Sequence, residues 1–347
     1  MKLNHLSPSS PPERGIVTHP VFVGAVLELL KEVCADITVG DDIDSEATDG
    51  FHVSGIRQIC REAGIRLINP RETGFVETRC NGTILGKVYL SKIALDADVV
   101  INLPKLKTHS LTIFTGGIKN MYGAIPHGHP TRFHYDYTRS EDFGQMLTDV
   151  FSAILPQLII MDGVMAMEED GPSSGNPRKL GIIIASKDTV ALDTVATKII
   201  GLDPASICTT RYSRDRGLGV GNLQDIEVVG EKIEAVASPD FKLPASYYRL
   251  IVSNLPSFLS KILLSQMSIK TRVVEKLCAG CFECEQICPA AAISKVGEKV
   301  RINQDICIQC MCRHEVCRFN AVMLEQPLIG RAINSVASIL RRLMAAG

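Results

Sequence analysis

The stretch CAGCFECEQICP runs from Cys278 to Pro289 and spaces four cysteines as C-x2-C-x2-C-x3-C-P. Cysteine thiolates at this spacing bind iron–sulfur clusters in bacterial proteins, and the fourth cysteine ligates a second cluster. The pattern therefore predicts a small cluster-binding unit in this part of the chain and a role in moving electrons.

A second copy follows twenty-nine residues later, since Cys307, Cys310 and Cys317 repeat the first, second and fourth cysteines. The third position of the copy is Arg313, and the nearest thiol stands one position earlier, at Cys312. The predicted ligand sets are Cys278, Cys281, Cys284 and Cys317 for one 4Fe-4S cluster, and Cys288, Cys307, Cys310 and Cys312 for the other. For the second set, a three-iron cluster or an empty site are the alternatives.

Length and charge narrow the classes of protein. A chain of 347 residues predicts two or three domains, with most of the function outside the cluster unit. A net charge of -1 gives no electrostatic footprint for nucleic acid, so we expect no nucleic-acid partner. Thiolate clusters need a reducing compartment, and neither a signal-like leader nor an apolar run of spanning length stands out. These features predict a cytoplasmic protein.

The first two-thirds of the chain alternates short apolar strands with helical patterns. The predicted strands are 36–40, 65–68, 98–103, 158–161, 181–185 and 226–229, with a less regular strand or hairpin at 83–91. The predicted helices are 21–33, 54–63, 141–155 and 189–200, the last with Asp188 as N-cap. This alternation predicts an α/β fold with a mostly parallel, doubly wound sheet. The predicted domains are 1–240 for the α/β part, 241–270 for a bridging helical segment, 271–326 for a small α+β ferredoxin-like iron–sulfur domain and 327–347 for an amphipathic helix.

Charged residues follow several predicted strands, where open α/β sheets bind ligands. The candidate catalytic residues are Lys105, Lys107, His109 and Asp162, and Asp41, Asp42 and Asp44 follow the first strand. Lys119 and Asn120 come after the pair Gly116-Gly117 and are the candidate cofactor-binding residues, for an anion at a helix N-terminus, with an ordinary turn as the alternative.

Two further segments carry candidate chemistry. Three histidines, His127, His129 and His134, occupy a predicted loop that would serve as a metal site or as an active-site lid with a proton donor. The run 168–170 is acidic and suits a divalent ion or a substrate amine, or else an exposed turn.

Four segments together resemble the prokaryotic family called domain of unknown function 362. They are LPKLKTH at 103–109, TGGIKNMYG at 115–123, MEEDGP at 167–172 and DTVALD at 188–193, and the resemblance covers roughly residues 1–235. It implies an iron–sulfur protein of undefined reaction, often with a C-terminal two-cluster ferredoxin module. The chain departs from the pattern at Glu169, where the family has Gly, and at Arg313.

The tail 328–344 places apolar residues on one helical face, which would pack on the protein's own core, contact a partner or dimer, or lie on a membrane surface. Taken together, the features favour an iron–sulfur oxidoreductase that relays electrons between a partner protein and a small anionic or unsaturated metabolite. A non-enzymatic electron carrier or maturation partner, and an isomerase or lyase with structural clusters, are the alternatives. The sequence leaves open whether a flavin is present.

Overall fold

The computed structural model describes residues 1–6, 10–43, 49–126, 129–248, 269–310, 312–317 and 319–345. For residues 129–131, 135, 329, 337, 338 and 340–345 it describes the backbone alone. Asp44, His127 and most of the predicted bridging segment lie outside the described residues.

The chain is a mixed α/β protein with a mostly parallel sheet at its core. The strands are β1 (Thr38–Gly40), β2 (Arg66–Ile68), β3 (Phe75–Arg79), β4 (Lys87–Ser91), β5 (Ile101–Asn102), β6 (Lys105–His109), β7 (Ile113–Thr115), β8 (Leu158–Glu168), β9 (Asn176–Ser186), β10 (Lys270–Val273), β11 (Ile293–Val296), β12 (Lys299–Ile302) and β13 (Val322–Glu325).

The central sheet is organised around the long strand β8. Strands β5 and β6 follow each other along β8 in parallel, whereas β9 pairs with β8 and β7 with β6 in antiparallel fashion. Lys2 bridges to Gly40 of β1 and to Asn102 of β5, both in parallel, so the N-terminal residues join β1 and β2 to the rest of the sheet. The carboxyl ends of β1 and β5 therefore lie side by side.

The helices are α1 (Pro20–Lys31), α2 (Gly50–Val53), α3 (Ile56–Ala63), α4 (Lys92–Asp96), α5 (Gly117–Asn120), α6 (His129–Asp136), α7 (Ser140–Ala153), α8 (Thr189–Ile199), α9 (Cys208–Asp215), α10 (Ile233–Val236), α11 (Glu283–Gln286), α12 (Cys312–Val316) and α13 (Leu328–Ala345). The predicted helices correspond to α1, α3, α7 and α8. Asp188 is the N-cap of α8, since its carboxylate accepts from the backbone N–H groups of Val190 and Ala191.

Apolar faces of these helices cover the sheet. Phe22 and Val26 of α1 and Ile56 of α3 form one buried cluster with Val39 of β1 and Ile101 of β5. The helix α8 contributes Leu192 and Ala196 to a second cluster around Ile159 and Met161 of β8. Burial of such side chains contributes about 1.5–3 kcal/mol each.

Three sequence predictions about secondary structure need correction. Residues 226–229 are not a strand, and Val229 in this segment is 87% exposed. Residues 105–109, predicted to lie at or beyond the end of a strand, form the strand β6, in which Lys105 and Lys107 have partners inside the protein. The predicted histidine loop is partly helical, with α6 over His129–Asp136.

The cysteine-rich unit is a structural repeat as well as a sequence repeat. Strand β12 begins at 299 and β10 at 270, and β13 begins at 322 and β11 at 293, so both pairs are offset by twenty-nine residues. Helices α11 and α12 begin at 283 and 312, with the same offset. Left-handed backbone conformations recur at the same offset. Gly280 (φ 68°) corresponds to Gln309 (φ 54°), and Ala291 (φ 48°) corresponds to Asn320 (φ 51°). Arg313 therefore holds the backbone position that Cys284 holds in the first copy.

Candidate functional site

Polar side chains gather beside the carboxyl ends of β1 and β5. Nζ of Lys2 lies 2.7 Å from Oδ1 of Asp41, and the backbone N–H of His5 donates to Oδ2 of the same carboxylate at 2.7 Å. Burial raises the pKa of Asp41 to about 6, although Lys2 opposes the shift. Asn120 donates to Oδ1 of Asn102 at 2.6 Å. We call this edge, together with the inward side of β6, the polar rim.

Lys105 and Asp162 form a fully buried ion pair at the rim. Nζ of Lys105 lies 2.8 Å from Oδ2 of Asp162, and both side chains are 0% exposed. The backbone N–H groups of His19 and Val164 also donate to this carboxylate. Asp162 lies within β8, opposite Lys105, not beyond the end of a strand as predicted. Burial lowers the pKa of Lys105, and the attraction of Asp162 opposes this.

Lys107 lies two residues further along β6, after an irregularity in the pairing of β6 with β8. Its Nζ donates to the carbonyl of Ile16 at 2.8 Å. Burial, and then the neighbouring cations Lys119 and Lys105, lower the pKa of Lys107 well below its ordinary value. A buried lysine of this kind holds its proton less tightly than an exposed lysine does.

His109 ends β6, and its ring is fixed by the turn that follows. Nδ1 accepts from the backbone N–H of Leu111 at 3.0 Å and of Thr112 at 3.3 Å, so the neutral ring carries its proton on Nε2. The pKa of His109 is lowered to about 3. Burial is the largest cause, and repulsion from Lys119 is the second. Ile113 in the same turn has φ 69°, a strained value for a β-branched residue.

The group opposite His109 comes from the cysteine-rich unit. Oε1 of Glu315, on α12, lies 3.2 Å from Nε2 of His109, and Oε2 lies 3.9 Å from Nε2 of His134. Burial alone would raise the pKa of Glu315, but His134, His109 and Lys119 outweigh it and hold the pKa below its ordinary value. Glu315 is therefore an ionised carboxylate inside the rim.

The backbone N–H groups at the N-terminus of α5 bind a carboxylate of the same chain. Oδ1 of Asp193 accepts from the N–H of Gly117 at 2.6 Å, and Oδ2 accepts from that of Ile118 at 3.0 Å. A Cβ on Gly116 would lie 2.1 Å from Oδ1 of Asp193, so glycine is required there. The anion predicted at this turn is thus an internal aspartate, and Asn120 is engaged with Asn102 and the carbonyl of Leu3.

The acidic segment 168–170 contacts β6 of the polar rim. Glu169 has φ 66°, which explains why glycine is expected there, and its carboxylate bonds to Asn176 and Lys242, both at 2.6 Å. Thr108 in β6 donates to the carbonyl of Glu169 at 2.8 Å. Burial raises the pKa of Asp170 to about 6.

Cysteines of the first predicted set line one cavity, which contains Cys278, Cys281, Cys284 and Cys317 among apolar side chains. The backbone N–H of Ala321 donates to Sγ of Cys317 at 3.2 Å, and that of Ala292 donates to Sγ of Cys288 at the same distance. No three His, Cys, Asp or Glu side chains of the described residues converge as ligands of one metal ion. Ligands of a cluster stand further apart, because each binds a different iron.

The second set departs from the repeat around Arg313. The guanidinium of this buried residue lies 2.9 Å from Sγ of Cys307, 3.3 Å from Oε1 of Gln309 and within hydrogen-bonding reach of Thr271. Cys312 is buried beside Cys310, and its Sγ donates to the carbonyl of Cys310 at 3.9 Å. The interaction of the two cysteines lowers the pKa of Cys310 and raises that of Cys312.

Further polar contacts join the cysteine-rich unit to the α/β part near Glu315. Ser173 and Ser174 donate to the carbonyl of His314 at 3.1 and 3.3 Å, and Arg14 donates to Oδ1 of Asn320 at 2.6 Å.

Sequence reasoning found Lys105, Lys107, His109, Lys119 and Asp162 but missed Glu315 and Asp193. The structure brings the first five to one region of β6 and α5, although their catalytic and cofactor-binding roles stay predictions. The departure of the second cysteine copy from the first at 312–315 was the one local signal that pointed towards Glu315. Asp193 lies in the segment DTVALD that carries the family resemblance, but no pattern in the sequence linked it to the α5 turn.

The fold and the rim define a mixed α/β protein with a buried cluster of charged side chains and a cysteine-rich unit. Residues 1–198, more than half of the chain, match the family model described as domain of unknown function (DUF362), and the chain belongs to this family. It is 33% identical over 272 residues to the thylakoid-associated protein sll1697 of Synechocystis, covering 75% of this chain and 83% of the relative.

Among solved structures, the lactate racemase apoprotein of Thermoanaerobacterium thermosaccharolyticum is similar at a TM-score of 0.37 and 15% identity. The match covers 56% of this chain and 47% of that one.

The tail forms the predicted helix, α13. Leu328, Val336 and Ile339 are 80%, 58% and 58% exposed, so these three side chains do not pack on a core. Among the described residues, no helix combines the length and apolar character that crossing a membrane requires.

Proposed function

We propose that this chain is an iron–sulfur oxidoreductase in which the cysteine-rich unit is a two-cluster ferredoxin-like module. Clusters bound there would supply single electrons to a small anionic or unsaturated metabolite at the polar rim. The observation that carries the proposal is the insertion of Glu315 between His109 and His134. It sets the helix that begins at Cys312 directly against the rim.

The first cysteine set fits a four-iron cluster. The four thiols surround one cavity, and a backbone N–H donates to Sγ of Cys317, as expected for a thiolate that ligates iron. The exact structural repeat supports the exchange of the fourth cysteine between the two copies.

The second set fits less well. Three of its cysteines follow the repeat, but Arg313 replaces the remaining ligand and its guanidinium contacts Cys307. Cys312 would have to reach across from the neighbouring position. A second four-iron cluster and a three-iron cluster are both consistent with this arrangement.

The residues of the polar rim would have different roles in the reaction. Lys119 lies near Glu315 and Cys312, whose negative charge opposes the lowering of its pKa by burial. His109 is neutral and presents Nε2–H as a hydrogen-bond donor. Lys107, whose pKa burial lowers well below its ordinary value, is the candidate to accept or return a proton. Lys105 and Asp162 form an ion pair that would position β6 against β8.

One observation favours a non-enzymatic electron carrier or maturation partner as the second candidate. Lys105, Lys107 and His109 are at most 2% exposed, so a metabolite reaches them only if the cysteine-rich unit moves. The exposed apolar residues of α13 would then contact the redox partner or a membrane surface. A reducing compartment such as the cytoplasm suits all of these functions.

Anaerobic purification tests the proposal, with quantitation of iron, sulfide, flavin and co-purified metabolites. The reduced protein is then mixed with each candidate metabolite while the cluster absorbance is followed. We expect a metabolite alone to oxidise the clusters, and Cys281→Ser to abolish this response while Cys34→Ser, at an exposed cysteine outside the unit, leaves it intact.

Each alternative has its own outcome. Oxidation only in the presence of a partner protein supports the electron carrier. Turnover of a metabolite without any redox change of the clusters supports an isomerase or lyase. A protein without iron and sulfide contradicts all three functions.

A further inference from the structure

We infer that the polar rim is a binding site for a small carboxylate, and that Glu315 occupies it in cis. The external ligand is a molecule that presents one carboxylate to His109 and His134. It binds when the cysteine-rich unit withdraws Glu315. The inference deepens the proposed function by naming the ligand class, but binding itself does not require clusters.

The donors around Glu315 are built into the α/β part. His109 is 0% exposed, and two backbone N–H groups fix its ring so that Nε2–H faces the carboxylate. His134 is 4% exposed, and its ring lies against Phe143 with the centroids 4.4 Å apart. Both rings are therefore held in place by contacts other than Glu315.

The charge of this region favours an anion. A buried carboxylate without compensation is costly, and burial would raise its pKa. The carboxylate of Glu315 nevertheless lies between two imidazoles, with Oε1 3.2 Å from Nε2 of His109 and Oε2 3.9 Å from Nε2 of His134.

Glu315 is an imperfect occupant. Its Oε1 lies 3.2 Å from Nε2 of His109, but its Oε2 lies 3.9 Å from Nε2 of His134, beyond hydrogen-bond distance. An untethered carboxylate that approaches both rings would gain the contact to His134 that the tethered one lacks.

The same geometry disfavours phosphate. Phosphate sites typically use several backbone N–H groups at a helix N-terminus. At the N-terminus of α5, the N–H groups of Gly117 and Ile118 are already occupied by Asp193. Two imidazoles and neighbouring lysines match the smaller charge of a carboxylate.

Acetate binding to the full-length chain tests the inference. Glu315→Ala leaves the donors in place and opens the position of the carboxylate. Glu315→Gln retains the shape but removes the charge. We expect acetate affinity, measured by calorimetry and by the rise in melting temperature, to fall in the order Ala, Gln, wild type. The internal carboxylate competes as a tethered ligand, so the difference between Ala and wild type should be about tenfold or more.

Glu325→Ala is the matched control, since Glu325 lies in the same unit and pairs with the exposed Arg272. Its acetate response should equal that of the wild type. Equal acetate affinity in all four proteins overturns the inference, as does stronger binding of phosphate than of acetate to Glu315→Ala. If Glu315→Ala does not fold, the comparison of Glu315→Gln with the wild type decides the same question.

Iron content and cluster oxidation are measured on the same samples. Acetate binding without electron transfer to any metabolite leaves the carboxylate site standing and contradicts the oxidoreductase. Electron transfer without the expected order of acetate affinities supports the oxidoreductase and contradicts the carboxylate site.

Discussion

Nζ of Lys105 lies 2.8 Å from Oδ2 of Asp162 with both side chains completely buried. Removing one partner leaves an uncompensated buried charge, which is costly. We therefore expect Lys105→Met to lower the free energy of unfolding by about 3–5 kcal/mol. The double variant Lys105→Met/Asp162→Asn should lose less than the two single variants combined.

Urea unfolding of the three variants measures this coupling. Lys87→Met is the control, because Lys87 forms a comparable but exposed pair with Glu77, and we expect no measurable change. Strict additivity of the two buried substitutions would show that the pair does not interact as the structure indicates.

Asp193 gives a prediction for pH. Burial raises the pKa of this carboxyl to about 7, against the lowering effect of the N–H groups of Ile118 and Gly117. A folded-state pKa above the unfolded value of about 3.8 means that the folded protein binds the proton more tightly. Stability from this group is therefore present at low pH and is lost as the pH rises from about 4 to 7.

The variant Asp193→Asn lacks this titration. Its stability deficit relative to the wild type should be larger at pH 5 than at pH 8, as measured by chemical unfolding at both values. A deficit that stays constant, or that grows with pH, contradicts the raised pKa.

Arg313 and Cys312 decide the iron content of the second cysteine set. We expect about eight irons per chain if Cys312 ligates, and about seven if the second cluster has three irons. Iron analysis and electron paramagnetic resonance of the oxidised protein distinguish these cases. Only four irons would contradict the second cluster.

Two variants locate the ligand. If Cys312 already ligates, Cys312→Ser should lower the iron content and Arg313→Cys should leave it unchanged. If it does not, Arg313→Cys should raise the content towards eight and Cys312→Ser should have no effect. Cys208→Ser, at a buried cysteine outside the unit, is the control.

Glu169 carries a left-handed backbone, at φ 66°. A β-branched residue is strained there, so Glu169→Val should destabilise the protein by about 1–3 kcal/mol. Glu169→Gly relieves the strain but loses the contacts to Lys242 and Asn176, and should change the stability by less than about 1 kcal/mol. Thermal unfolding of both variants checks the order, and a Gly variant less stable than the Val variant would refute it.

Local patterns in the sequence determined much of the α/β part. The apolar spacing of α1, α7 and α8 identified these helices, because burial of one helical face repeats every three to four residues. Asp188 was recognised as an N-cap for a local reason too, since its partners Val190 and Ala191 are its neighbours. The twenty-nine-residue offset of the cysteines is also the offset at which strands, helices and left-handed backbone repeat in the structure.

Tertiary structure alone decided how the rim is assembled. Lys105 and Lys107 were expected at or beyond the end of a strand, because a charged side chain lies within a buried strand only when it has a partner there; the partner of Lys105 is Asp162, 57 positions away. The carboxylate at the α5 turn belongs to Asp193, 76 positions from Gly117. Glu315 reaches His109 from a separate unit of the chain. Contacts over such separations leave no periodic trace in the sequence, because their geometry exists only once the sheet and the cysteine-rich unit have packed together.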